Sequence, residues 1–161
     1  MPASNLIART VVVRSTRLPR RAFRIFAELE GMYRNMVEQL AMYAVRGGVR
    51  SFTRLKALKY RELRSLYPRL PSHYAYTACQ DAAARAKSFL RLKRLGLTER
   101  AYPEVRSLSI WLDDHLWRPA GLTSVEVSTH KGWITIWLEP TRHYWRYVNG
   151  GWRLASEAKV K

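Results

Sequence analysis

The sequence predicts an α+β fold: a β-barrel or curled sheet interrupted by an inserted bundle of three helices. Two observations carry this. Apolar residues recur at every second position near both ends of the chain, and at every third or fourth position between them. A lone strand at the N-terminus has no stable partner nearby, so it has to pair with the strands at the C-terminus. The expected boundaries are 1–15 and 104–161 for the β part and 16–103 for the helical insertion.

Taken in order, residues 6–14 (LIARTVVVR) read as a strand with Ile7, Val11 and Val13 on one face. Pro19 marks a helix start, with Ser15 or Thr16 nearby to cap it. Phe23, Phe26, Leu29, Met32, Tyr33, Met36, Val37 and Leu40 then predict an amphipathic helix from 20 to about 45, ended by Gly47 and Gly48. Ser51 caps a second helix to about residue 67, with Phe52, Leu55, Leu58, Leu63 and Leu66 apolar, stopped by Pro68 and Pro71. Ser72 caps a third, ending at Gly96, whose contact face is small: Ala75, Cys79, Ala82, Ala83 and Ala86. After Pro103 the period returns to two. Residues 108–112 read as a strand and 124–129 with 133–138 as a hairpin around His130-Lys131-Gly132. Residues 143–148 with 152–158 read as a second hairpin around Asn149-Gly150-Gly151.

Charge indicates the partner. The chain has 29 Lys and Arg against 12 Asp and Glu, a formal net charge of +17. Such an excess attracts polyanions, of which phosphate backbones are the commonest. At 47% hydrophobic the chain can build a core, which a disordered basic tail cannot. The single cysteine, Cys79, excludes an internal disulfide and a cysteine-based zinc site and suits a reducing cytoplasm. The short apolar start, interrupted by Arg9, reads as a strand and not as a signal peptide. No apolar run approaches a membrane span, so no membrane partner is expected.

Two cationic helix faces are the candidate nucleic-acid contacts: Arg54, Lys56, Lys59, Arg61 and Arg64 on the second helix, and Arg85, Lys87, Arg91, Lys93 and Arg94 on the third. Only Glu62 and Asp81 lie close enough to neutralise them, which favours phosphate binding over a solvated face. Gln80 has the donor–acceptor pair that reads adenine. Tyr76, one turn earlier, suits stacking or, more simply, core packing. Alternation puts Trp133 and Trp137 on one face of their strand and Ile134, Ile136 and Leu138 on the other. The aliphatic face is the core candidate. The tryptophans are assigned to packing against the helices, with base stacking as the alternative. Asp113-Asp114-His115 would point its carboxylates to opposite faces if it were strand, and His73, His130 and His143 are scattered, so these read as surface turn residues and not as a metal site. Neither a metal, a cofactor, a small-molecule substrate nor a catalytic centre is therefore expected, and no phosphate-binding or nucleophile motif is present.

Several stretches resemble the N-terminal part of TnpB (OrfB) proteins, transposon-encoded RNA-guided endonucleases. They are Tyr33 to Val37 in the long helix, Tyr67-Pro68 before Leu70-Pro71-Ser72, and the run Ala78-Cys79-Gln80-Asp81 to Ala86-Lys87-Ser88-Phe89. Tyr102-Pro103-Glu104-Val105-Arg106 and Ser109-Ile110-Trp111-Leu112-Asp113 complete the set. The resemblance implies an oligonucleotide-binding-like barrel (a wedge domain) with a helical recognition domain. It implies partners among structured guide RNA, an RNA–DNA heteroduplex and duplex DNA, and places a motif-reading Gln near Gln80. Cleavage in that family belongs to a RuvC-type domain, and this sequence ends at Lys161, where such a domain would start, without zinc-ribbon cysteine pairs. The expectation is the non-catalytic portion of such a nuclease. The alternative is a stand-alone basic DNA- or RNA-binding architectural or regulatory protein.

Overall fold

The computed structural model describes residues 7–161. Within them the fold is α+β, with four helices and antiparallel sheets. Helix α1 (Arg20–Arg46) follows Pro19, and no side chain caps its first turn, so neither Ser15 nor Thr16 fills that role. It ends at Gly47, with Gly48 at φ 62°, the left-handed conformation that terminates helices. The Ser51 hydroxyl accepts from the Arg54 N–H and opens α2 (Phe52–Leu66). In α3 (Ser72–Arg94) Pro71 takes the cap position and Ser72 is already helical.

The small face of α3 decides how the helices pack. Ala75, Ala78, Cys79, Ala82 and Ala86 are all buried, so the backbone of α3 comes close to α1. Leu29, Tyr33, Met36, Val37 and Leu40 of α1 fill the remaining space.

Strand β1 (Arg14–Ser15) pairs with β5 (Gly132–Glu139), which pairs with β4 (Ser124–Thr129), which pairs with β3 (Trp117–Pro119). A separate two-stranded sheet joins β2 (Ile110–Leu112) to β6 (Ala158–Val160). The expected pairing of the N-terminal strand with C-terminal ones is observed, with Arg14 opposite Glu139. One apolar core runs from the helices through Leu108, Ile110, Leu112 and Leu116 to Val127 and Ile136 on the inner face of the larger sheet.

Three expectations are corrected. Residues 7–13 are not strand, and Ile7 and Val12 are exposed; residue 6 lies outside the described part. The second C-terminal hairpin is absent: residues 142–149 form helix α4 (Arg142–Asn149), capped by Thr141, whose hydroxyl accepts from the Tyr144 N–H. The Asn149-Gly150-Gly151 run is that helix's end, with Gly150 N–H bonded to Arg146 and Tyr147 carbonyls and Gly151 at φ 75°. Accordingly, the described strands do not close into a barrel. The segment expected to continue the sheet is helical, and β3, which the sequence did not disclose, is an edge strand ending in Pro119, where proline is tolerated.

Candidate nucleic-acid interface

The outer face of the larger sheet carries the clearest candidate. The register sets Trp133 opposite Ser128, Thr135 opposite Glu126 and Trp137 opposite Ser124. Strand alternation therefore puts Trp133, Thr135 and Trp137 on one face, with Ile134, Ile136 and Leu138 turned inward. The aliphatic side is the packed one, as expected. The tryptophans do not pack against the helices as assigned: Trp133 is 42% and Trp137 59% exposed. On this face the Arg118 guanidinium lies 4.3 Å from the Trp133 ring centroid, a cation–π contact, and pairs with Glu126.

The start of α1 lies beside this face. Thr16 N–H donates to the Trp137 carbonyl at 2.8 Å, extending the β1–β5 ladder by one bond before the chain turns into the helix. A groove of about 450 Å³ results, lined on one side by Arg17, Pro19 and Arg21 and on the other by Lys131, Trp133 and Trp137. Its far end is fixed by His130 at the hairpin tip, whose Nε2 lies 2.7 Å from the Glu28 carboxylate. That hydrogen bond lowers the Glu28 carboxyl below its ordinary value. No acidic residue occupies the first turn of α1, and its leading N–H groups have no side-chain cap, which leaves the positive end of a 27-residue helix beside the groove. Arg17, Arg21, Lys131 and Arg118 were not among the sequence-based site residues. The sequence signal for Arg17 and Arg21 is the cluster Arg14, Arg17, Arg20, Arg21 and Arg24 around the start of α1, whereas nothing local marks Lys131 and Arg118, which the sheet register brings to the tryptophans.

The residues singled out on α2 and α3 divide into two groups. Arg64 donates to the Leu70 carbonyl at 2.7 Å, and Arg85 pairs with Asp81 at 2.8 Å and reaches the Ser107 carbonyl. Both serve the fold. Lys59 pairs with Glu62 and lies over the Tyr43 ring, and Lys56 lies 4.6 Å from the Tyr76 ring centroid. Tyr76 itself packs edge-on against Phe52 at 4.7 Å, the core role weighed for it, and Gln80 is half-buried. Arg54, Arg61, Lys87, Arg91, Lys93 and Arg94 are exposed, and none has a carboxylate within salt-bridge distance among the described residues. Lys87, Arg91 and Arg94 share one face of α3 at steps of four and three.

Asp81 illustrates what burial does to such a pair. Burial raises its carboxyl above the ordinary value, against the pull of Arg85, and its Oδ2 has no partner. A carboxyl raised in the folded state stabilises the fold fully below its unfolded value, about 3.9, and that contribution is lost as pH rises through the folded value. Urea-unfolding stabilities of wild type minus Asp81→Asn should therefore fall as pH rises from about 4 towards 7. A difference that stays flat across that range contradicts this account.

Comparison with known proteins corrects the TnpB resemblance. The family model that matches, over residues 29–128, is that of the Uncharacterized protein MJ0013 family, and not a TnpB model. Uncharacterized protein MJ0857 of Methanocaldococcus jannaschii is 25% identical over 178 aligned positions, covering the whole of this chain and 65% of that relative, so the chain spans just under two thirds of its length. No solved structure matches the chain significantly. Two of the stretches that suggested TnpB are of a kind that helix packing imposes in many folds: the proline–serine start of α3 and its alanine face, buried in the core. The transposon, guide-RNA and RNA-guided nuclease expectations fall with it, as does a motif-reading role for Gln80. The chain belongs to the Uncharacterized protein MJ0013 family.

Proposed function

We propose that this chain is a non-catalytic nucleic-acid-binding protein that takes single-stranded segments in the groove between α1 and the outer face of β5. One observation carries the reading: two exposed tryptophans, four positions apart on one strand face, are flanked by Arg17, Arg21, Arg118 and Lys131. Single strands offer what such a groove takes, unstacked bases for the rings and phosphates for the cations. The exposed Lys87, Arg91 and Arg94 stripe supplies a further track for the backbone. Among the described residues no helix is long and apolar enough to cross a membrane. The buried, unpaired Cys79 suits a reducing cytoplasm, where such a partner is met.

Fluorescence anisotropy with a 12-nucleotide single strand and its duplex, over a salt series, tests the proposal. The single strand should bind more tightly, and its log affinity should fall linearly with log salt. Arg17→Ala with Arg21→Ala should reduce that slope by about 1.4, since each single-strand phosphate contact contributes about 0.7. Duplex binding that equals single-strand binding and ignores both arginines would defeat the groove reading. It would point to a duplex-binding architectural role on the α3 stripe instead.

A further inference from the structure

The turn between β2 and β3 supplies a second, chemically different cluster. The sequence reading took Asp113, Asp114 and His115 for surface turn residues, judged adjacent carboxylates a poor metal clamp, and set His73 aside as unrelated. In the fold, residues 113–116 form a tight turn closed by the Leu116 N–H on the Asp113 carbonyl at 3.0 Å. The Asp113 carboxylate also accepts from the His115 backbone N–H at 2.9 Å. The turn abuts the first turn of α3, where His73 Nδ1 lies 2.5 Å from Asp113 Oδ2, 40 residues away in sequence. The rings of His73 and His115 stack with centroids 3.8 Å apart, and His115 Nδ1 lies 2.9 Å from Asp114 Oδ1. One ligand atom each from His73, Asp113 and His115 lies within 4.8 Å of the other two.

We infer that His73, Asp113 and His115 form a binding site for a divalent transition-metal ion of the zinc class, which clamps the β2–β3 turn onto the start of α3. Two imidazoles and a carboxylate are donors this class prefers, whereas calcium and magnesium favour all-oxygen sets. Metal–ligand bonds of about 2.1 Å at tetrahedral angles put donor atoms about 3.4 Å apart, so closing the site takes side-chain rotations of about an ångström. Rotation has room on the turn side, since the His115 side chain is 60% exposed. His73 is half-buried beside Tyr76 and is the fixed point. Asp114 stands within reach of His115 as an orienting carboxylate, the usual outer partner of a metal-bound imidazole. Two adjacent carboxylates turned onto imidazoles in a chain of net charge +17 make a local site that a cation can enter despite the overall repulsion. The inference does not rest on the groove or on nucleic acid.

The test uses the full chain without an affinity tag, stripped with chelator and titrated with Zn²⁺ alone by calorimetry, with Co²⁺ as a spectroscopic probe. One Zn²⁺ per chain should bind, the Co²⁺ complex should show visible d–d bands of a low-coordinate nitrogen–oxygen site, and saturating Zn²⁺ should raise the melting temperature by roughly 5–10 °C. His115→Ala, which changes an exposed side chain and keeps the fold, should weaken binding at least tenfold and abolish the thermal shift, as should His73→Ala. His143→Ala, an exposed histidine elsewhere, should change nothing. Wild-type protein that binds no stoichiometric Zn²⁺, or a His115→Ala variant that binds it as wild type does, overturns the inference.

Discussion

Trp133→Ala and Trp137→Ala should each weaken single-strand binding by about tenfold or more while leaving the fold intact. Stacking of one base on one aromatic ring is worth about 1–3 kcal/mol, and 1.4 kcal/mol is a factor of ten. Both rings are largely outside the core, so their removal forfeits little buried area and the melting temperature should move by no more than a few degrees. Trp→Phe should restore much of the loss, because stacking needs a π face and not the indole N–H. The Trp133 variant carries a second consequence. Arg118 rests on that ring at 4.3 Å, and without it the guanidinium keeps only Glu126 as partner. The rings and the cations should also separate by salt. Alanine at Trp133 or Trp137 should lower affinity equally at every salt concentration, whereas Arg17→Ala and Arg21→Ala should flatten the salt slope. If the double tryptophan variant loses less than twofold, stacking does not occur in this groove and the exposure of these rings needs another explanation.

The parts legible in the sequence were those fixed by local rules. The periodicity of α1, the Ser51 cap, the glycine stop after α1 and the hairpin around His130-Lys131-Gly132 each follow from a few neighbouring residues, and each is observed. The C-terminal segment was misread because HYWRYV satisfies both periods. The deciding feature was Thr141 after Pro140, a helix start, with the glycines serving as its end and not as a hairpin turn. The site was legible only in part. Alternation placed Trp133 and Trp137 on one face, but nothing local says whether a face is covered, and here it is not. Arg64 and Arg85 looked like phosphate ligands although two of their partners are near in sequence, Asp81 one helical turn before Arg85 and the Leu70 carbonyl six residues after Arg64. The burial of Asp81 and the approach of the Ser107 carbonyl are set by tertiary packing. The meeting of His73 with Asp113 depends wholly on how the β2–β3 turn sits against α3.

The largest loss of stability is expected at Tyr74. It is wholly buried in the first turn of α3, edge-on to Tyr33 with centroids 6.3 Å apart, and its hydroxyl donates to the Ser128 carbonyl at 2.6 Å. It thus ties the helical layer to β4. Tyr74→Ala should cost about 3–5 kcal/mol, the range for emptying a large aromatic site, and leave little folded protein at elevated temperature. Tyr74→Phe isolates the hydroxyl. The Ser128 N–H already bonds the Leu116 carbonyl on the side away from β5, so the Ser128 carbonyl depends on Tyr74. Removing the donor strands a buried acceptor and should cost about 1–3 kcal/mol. Tyr33→Phe provides the contrast. Its hydroxyl bonds the Thr77 carbonyl at 3.3 Å, and that carbonyl also lies within the α3 hydrogen-bond ladder, so the loss should be about 0.5–1 kcal/mol. Burial pushes both hydroxyls far above the ordinary phenol value, so the comparison holds at any pH at which the protein is handled. Urea unfolding should rank the three variants Tyr74→Ala, Tyr74→Phe, Tyr33→Phe from most to least destabilised. Because Ser128 stands opposite Trp133 in the register, Tyr74→Phe also tests whether the sheet is a rigid support for the groove. Well below its melting temperature it should bind single strands as wild type does, and weaker binding there would mean that the Trp133 face depends on Tyr74 for its shape.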